Sequence, residues 1–597
     1  MSVGILPPPR MVPVTFGACA GWLHPASGKH GVLLCGALNH EILPLYQSWH
    51  ALAAMIAAAG LSVLRFDYHG TGDSLGDDRE PGRVEAWRQS IRAAAQFMRE
   101  ECGFETLDLV GIRLGATLAS LSAAEIRVER LVAIAPVANG RTYIREAQAR
   151  SRMLCSIWRL GNASLTHGEI ANDGFIITKE TASDIARLDL TCVRTRPARE
   201  VLLVGETSSL IHKLQEAYET AGCHVTRKDF TGFAALMDSA TLAQIPLKDW
   251  QAVVSYLTKA RQAASNVPVL PRSFALQASS FHEERMIFGH DDRLAGVLCR
   301  PVAQTPVATI LFLNTGGNPH FGWGRMSVEH ARALAAPGVA SLRLDIAGLG
   351  DAAPLAGSPR AALYRKESIA DVREALELLE QRGLSNFTLV GHCSGAWLAL
   401  NAGRADPRVR GLFLVNLQRF IWTGDEDLEA LMAQAYRATD SYLQEIGSGA
   451  MWQRLLKGQI NWARLPGIAR AMLRRPAARI GNRLWRIAAR LLGIETQTAR
   501  ISGMLRHLSE RGTDTLLVYS ETDPGREELA RHFGASGCRL RLPRLWIATI
   551  ENADHDITSE EARRAYFELL SKHVDCATGA IPAKPASERP QIVAQAA

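Results

Sequence analysis

Phe387-Thr388-Leu389-Val390-Gly391-His392-Cys393-Ser394-Gly395-Ala396-Trp397-Leu398-Ala399-Leu400 is the stretch whose reading decides the fold. Its first four residues form a short apolar strand, and from Ala396 onward the apolar spacing is helical. Between them, Gly391 and Gly395 flank a tight turn where strand and helix backbones pass close together. A strand that turns sharply into a helix presents the residue at the apex. Here that residue is Cys393, at a helix N-terminus, where the dipole favours a thiolate. Taking Ser394 as the apex would put His392 and Ala396 at the glycine positions, so Cys393 is the better nucleophile candidate. An isolated Cys is often a buried, inert thiol. The strand-turn-helix context favours the catalytic reading.

The other members of a triad follow in the order nucleophile, acid, base. Thr515 to Ser520 reads as a strand, and Asp523-Pro524-Gly525 closes the turn after it. Leu545 to Ile550 is another strand, ending in Asn552-Ala553-Asp554-His555-Asp556. Asp523 and His555 therefore fall in loops after strands, on the same edge of a parallel sheet as Cys393. His555 would take the thiol proton, and Asp523 would fix its tautomer. Glu521 and Asp514 are alternative acids, and a surface histidine capping a helix is the plain reading of His555.

Composition bounds the rest. At 597 residues the chain is long enough for two to four domains. A hydrophobic content of 47%, with 21% charged residues, is that of a globular protein and argues against a disordered chain. The net charge of +7 is a mild basic bias. Pro7-Pro8-Pro9-Arg10 breaks the N-terminal apolar stretch, so no signal peptide is expected. No apolar run is long enough to span a membrane. The ten cysteines include no C-x-x-C pair, which fits reduced thiols in a cytoplasm. No metal-ligand spacing occurs, and neither metal nor cofactor is expected.

The chain repeats one order of signals. Gly31 to Gly36 and Thr309 to Gly317 are strands ending in small-residue loops. Then come Leu64-Arg65-Phe66-Asp67-Tyr68-His69-Gly70-Thr71-Gly72-Asp73 and Leu342-Arg343-Leu344-Asp345-Ile346-Ala347-Gly348-Leu349-Gly350-Asp351. Leu109-Val110-Gly111-Ile112-Arg113-Leu114-Gly115 answers to the Cys393 turn. The offset is steady, 278 residues at Asp67/Asp345 and 280 at Arg113/Cys393, as in tandem homologous domains. Alternating strands and helices predict an α/β fold with mostly parallel sheets and helices on both faces. The expected domains are 1–262 and 280–575. A linker is expected at 263–279 and a disordered tail at 576–597.

On these motifs both halves resemble α/β-hydrolases of the serine aminopeptidase-like (S33) type. More narrowly, they resemble the paired hydrolases found with bacterial exopolysaccharide and exosortase systems, one partner having Arg and the other Cys at the elbow. The resemblance runs from about Met11 to Val574. It implies a hydrolase fold and acyl chemistry, in a context of exopolysaccharide production.

The first half has lost that chemistry. Arg113 stands at the nucleophile position, and a guanidinium stays protonated and cannot attack a carbonyl. Glu206 follows the strand Val201 to Gly205 at the expected acid position, and no His occurs between His224 and His282. Arg113 is expected to pair with Glu206 internally. The alternative is an anion site at a helix N-terminus.

An acyl-transfer site needs two oxyanion donors. The backbone N–H of Ser394 is one candidate, and Thr315 or Gly316 supplies the other. His320 and Arg325 in the same loop, with His392, are candidate substrate contacts. Between elbow and acid position the first half has 93 residues and the second 130. The excess predicts a helical cap at about 418–506. From Ile446 to Ile494 it contains no Asp or Glu, and its arginines alternate with Trp452, Trp462 and Trp485. A basic face there would suit an anionic membrane surface, an acidic polysaccharide or an acyl-carrier protein. Nucleic acid is not expected. The expected function is ester or thioester hydrolysis, or acyl transfer, through Cys393. The expected location is cytoplasmic, peripheral to the inner membrane if the basic face binds lipid. The rivals are a carrier-linked thioesterase or acyltransferase and a non-enzymatic ligand-binding scaffold.

Overall fold

Strands that lie inside a sheet covered on both faces read as continuous apolar runs, and His30–Cys35 and Thr106–Ile112 are buried along almost their whole length. The computed structural model describes residues 11–158, 168–259, 261, 275–355, 362–424, 495–577 and 592–594. They divide into two units, Met1–Ser385 with Thr558–Arg563, and Asn386–Ile557 with Arg564–Ala597.

The first unit contains an eight-stranded sheet. Its strands are β1 (Val12–Phe16), β2 (Cys19–His24), β3 (His30–Cys35), β4 (Ser62–Phe66), β5 (Thr106–Ile112), β6 (Arg130–Ile134), β9 (Glu200–Val204) and β10 (His224–Lys228), in the order β1-β2-β4-β3-β5-β6-β9-β10. β7 (Ile170–Asn172) and β8 (Phe175–Ile177) form a separate hairpin. Only the β1/β2 and β2/β4 pairs of the large sheet are antiparallel. Successive side chains point to opposite faces. Thus Leu33 and Leu109 enter one core, while Val32, Leu34 and Val110 enter the other.

The same unit holds β11 (Ala275–Gln277), β12 (Phe281–Phe288), β13 (Leu294–Pro301), β14 (Ala308–Phe312) and β15 (Val339–Asp345). Their order β12-β13-β15-β14 repeats that of β1-β2-β4-β3. β11 occupies part of the span expected to be linker, because Leu276 and its neighbours pair with β12. The second unit has β16 (Phe387–His392), β17 (Val409–Val415), β18 (Asp514–Ser520), β19 (Leu545–Ile550) and β20 (Ile592–Ala594), all parallel. β20 lies in the span expected to be a disordered tail, where its backbone pairs with Ala548–Ile550. Residues 425–494, most of the expected cap and its whole basic stretch, lie outside the described residues.

Within the first unit, the loops Asp67–Asp73 and Asp345–Asp351 meet. In each, the first Asp accepts the backbone N–H of the last, at 3.0 and 2.9 Å. The contacts between the loops are reciprocal. Arg65 donates to Asp351 at 2.7 Å, and its counterpart Arg343 donates to Asp73 at 3.1 Å. Tyr46, on the helix Ile42–Ala58 after β3, donates to Asp351 at 2.7 Å. Arg332, on the helix Met326–Ala335 after β14, donates to the Asp73 carbonyl at 2.6 Å. Each repeat's first helix thus holds the other repeat's acidic loop, the arrangement of a self-complementary interface.

Candidate active site

β16 ends at His392 and a helix begins at Ser394, so Cys393 alone makes the turn. Its φ of +53° and ψ of −114° lie in a sparsely populated region that costs about 1–3 kcal/mol. Two features hold it there. The Cys393 N–H donates to the Val415 carbonyl at 2.9 Å. Gly391 has no room for a side chain, since a Cβ would lie 2.1 Å from the Gly395 oxygen. Arg113 takes the same conformation, with φ +53° and ψ −129°. The turn at Arg113 thus has the shape of the turn at Cys393, with a residue that cannot be a nucleophile.

His555 and Asp523 come together as their loops predict. His555 Nδ1 donates to Asp523 Oδ2 at 2.5 Å, and both residues are buried. The other Asp523 oxygen accepts from Gln418 Nε2 at 2.9 Å and from the Gly525 N–H at 2.7 Å. Burial works against a charged imidazole at position 555. Asp523 and the Cys393 thiol nevertheless hold its pKa well above the ordinary histidine value. Glu521 and Asp514 are not the partner: the Asp523 carboxylate takes the ring.

The remaining expected site residues fall elsewhere. His392 is buried under the elbow, and its Nε2 donates to the His555 carbonyl at 2.6 Å. It is a support for the backbone rather than the substrate contact expected. His320 is also no substrate contact. Its Nδ1 meets Asp345 at 2.6 Å and its Nε2 meets Asp73 at 2.8 Å, inside the junction of the acidic loops. Arg325 donates to the carbonyls of Gly72, Ser74 and Gly76, each at 2.8 Å. Polar residues after a strand favour a ligand contact in sequence, but His320 is taken by Asp345 and Asp73, and Arg325 by the backbone at Gly72–Gly76. Ser394 opens the helix after Cys393 in the second unit, whereas Thr315 and Gly316 belong to the first. The Gly316-Gly317 pair has a packing reason of its own. The Gly317 N–H donates to Thr241 Oγ1 at 2.9 Å, and a Cβ on Gly317 would meet the Ala240 oxygen at 2.4 Å.

The expected Arg113–Glu206 pair does not form. Arg113 Nε donates instead to Glu41 Oε1 at 2.8 Å, and Glu206 is exposed. Strand register explains the difference. Val204 and Val518 pair with Ile134 and Val415 at matching positions, so Glu206 answers to Ser520, not to Asp523. Burial raises the Glu41 pKa while Arg113 opposes the rise. Removing one partner of such a buried pair costs about 3–5 kcal/mol. Arg113→Ala and Glu41→Gln are therefore each expected to lower the melting temperature, and the double variant by less than the sum. Glu206→Gln should leave it unchanged. Additive losses in thermal melts would refute the pair.

Sequence reasoning missed Asn416, Gln418 and Ser520 as parts of this site. Asn416 Nδ2 donates to the His555 carbonyl at 2.7 Å and to Ser520 Oγ at 2.9 Å, and Ser520 Oγ donates to the Asp554 carbonyl at 2.7 Å. The available signal was a polar residue directly after the apolar strand β17, where the first repeat has Ala135.

Residues 310–569 match the model of the alpha/beta hydrolase family. Within that segment Cys393, Asp523 and His555 follow one another along the chain, each in a turn or loop after a strand. No curated protein matches the chain. Among solved structures it is similar to Est1E from Butyrivibrio proteoclasticus with ferulic acid bound, at 15% identity over 42% of this chain and 98% of that one, with a TM-score of 0.32. It is also similar to XC6422 from Xanthomonas campestris, an α/β serine hydrolase without a lid, at 16% identity over 44% of this chain and 99% of that one, TM-score 0.29. The esterase Pf2001 from Pyrococcus furiosus matches at 14% identity over 42% of this chain and 89% of that one, TM-score 0.31. Among the described residues, no helix is long and apolar enough to cross a membrane.

Proposed function

We propose that residues 310–569 transfer the acyl group of an ester or thioester through a Cys393 acyl-enzyme. The observation that carries this reading is the buried His555–Asp523 pair, whose imidazole is kept basic beside the Cys393 thiol. At the start of the reaction the Cys393 thiol passes its proton to His555, and the sulfur so activated stands at a helix N-terminus. The thiolate attacks the substrate carbonyl. As the tetrahedral intermediate collapses, His555 returns its proton to the departing alkoxide or thiolate, and a Cys393 thioester remains. His555 then removes a proton from water or another acceptor. Attack by that nucleophile on the thioester releases the acyl product and regenerates the thiolate. Esters and thioesters suit this site better than amides, because an amine departs less readily than the thiolate that attacked.

The first repeat, with Arg113 at its elbow and no histidine between His224 and His282, is a non-catalytic partner in this reading. Its resemblance to exopolysaccharide-associated pairs makes an acylated glycan, or a precursor of one, the natural substrate class. Alkylation by iodoacetamide between pH 6 and 9 tests the His–Cys pair. His555→Ala is expected to slow labelling of Cys393 at neutral pH by about tenfold or more, since the base that maintains the thiolate is gone. Asp523→Asn should label at close to the wild-type rate while turnover falls. Equal labelling of wild type and His555→Ala across this range would exclude His555 as the base.

A further inference from the structure

The carbonyl of His555 takes two hydrogen bonds, from His392 Nε2 at 2.6 Å and from Asn416 Nδ2 at 2.7 Å. A carbonyl oxygen has two lone pairs, so both are used. Asn416 is fully buried, and its amide is committed at both ends. Its Oδ1 accepts the Ser520 N–H at 2.8 Å, and its Nδ2 serves Ser520 Oγ and the His555 carbonyl. His392 is held neutral by burial and by the neighbouring charge on His555, so its ring has one N–H, and that is given to the same carbonyl. Asn416 thus ties the ends of β17 and β18 to the loop that carries the histidine.

Asn416 has φ +49°, a conformation asparagine tolerates well, and that alone would be an ordinary reason for it. The first repeat removes this explanation. Ile112 pairs with Ile134 as His392 pairs with Val415, so Ala135 answers to Asn416 and Ile112 answers to His392. Ala135 takes φ +41°, and its N–H meets the Val204 carbonyl at 2.7 Å, as the Asn416 N–H meets the Val518 carbonyl at 2.8 Å. The backbone shape survives with alanine. What the first repeat lacks is both donors, together with the histidine whose carbonyl they would hold.

We infer that Asn416 and His392 are positioning residues for His555, fixing its peptide so that the ring stays between Asp523 and the Cys393 thiol. This rests on Cys393 being the nucleophile. Asn416→Ala, which installs the first repeat's residue, is expected to lower kcat on p-nitrophenyl acetate by about 10–100-fold, as a small misplacement of a catalytic base does. KM should stay within about threefold, and the pH dependence of Cys393 alkylation should move toward that of His555→Ala. If Asn416→Ala does not fold, His392→Ile and His392→Gln test the same clamp. Glutamine keeps an N–H donor and should retain more activity than isoleucine. A folded Asn416→Ala with kcat within twofold of wild type and an unchanged alkylation profile overturns the inference, as does equal activity of the two His392 variants. Cys393→Ala in parallel separates the two levels. Wild-type turnover there would bring down the nucleophile assignment, and the inference with it. An inactive Cys393→Ala beside a fully active Asn416→Ala would bring down the inference alone.

Discussion

Cys393→Ala is expected to lower turnover of p-nitrophenyl acetate by at least about 10³-fold, the scale seen when a residue acting as part of a catalytic unit is removed. The acyl-enzyme cannot form without a nucleophile at the apex of the elbow. The loss should come without a fall in melting temperature, because Cys393 is only half-buried and its backbone conformation is held by the Val415 carbonyl and by Gly391. Cys393→Ser should retain weak activity at most, since a site built to hold a thiolate need not deprotonate a hydroxyl efficiently. Steady-state rates on the purified variants decide the matter, and wild-type turnover in Cys393→Ala would end the assignment.

Asp73→Ala carries the largest expected effect on stability. Asp73 is buried among three cations, with Arg285 at 2.8 Å, His320 at 2.8 Å and Arg343 at 3.1 Å. Burial disfavours its charge, but His320, Arg285 and Arg343 together hold its pKa well below the carboxylate range. Its removal takes a shared carboxylate from all three, leaving Arg285 to Asp67, His320 to Asp345 and Arg343 to Glu283 in a dry environment, a loss of roughly 3–5 kcal/mol. His320 contacts a carboxylate at each ring nitrogen, which requires both to carry protons. Its pKa is raised well above the ordinary value by Asp73 and Asp345 in spite of burial. The signs then follow from linkage. The Asp73 contribution is present above about pH 3.9 and is lost as pH falls through its lower folded value. The His320 contribution is complete below about pH 6.5 and is lost as pH rises toward its higher folded value. Wild-type stability should therefore decline on the alkaline side, and His320→Gln should show a shallower alkaline slope in thermal melts. An Asp73→Ala protein melting within a degree or two of wild type, or equal slopes for wild type and His320→Gln, would contradict this account of the junction.

What the sequence disclosed divides by distance along the chain. The elbow is local: strand, glycine, apex and helix occupy fourteen consecutive residues, and the backbone follows them. Asp523 and His555 were legible because each lies in the turn or loop that follows an apolar strand. The partner of Arg113 was not, since Glu41 lies 72 residues away and only the packing of the loop after β3 brings it near. Matching by strand order suggested Glu206, but register moves that residue to the Ser520 position. His320 and Arg325 looked like ligand contacts because they are polar residues in a glycine-containing loop. The repeated D-x-x-G-x-G-D motif was visible twice, yet nothing local says that its two copies face each other. Asn416 could have been found by setting the repeats side by side, where an asparagine stands against Ala135.

The central claim is that Cys393 carries the acyl group, and intact-mass spectrometry after brief mixing with p-nitrophenyl acetate tests it most directly. The account predicts one added acetyl group on the wild-type protein, mapped to the peptide containing Cys393, released by hydroxylamine and absent from Cys393→Ala. Turnover proceeding with no adduct at Cys393 under rapid quench, or an acetyl group found equally on Cys393→Ala, would contradict it.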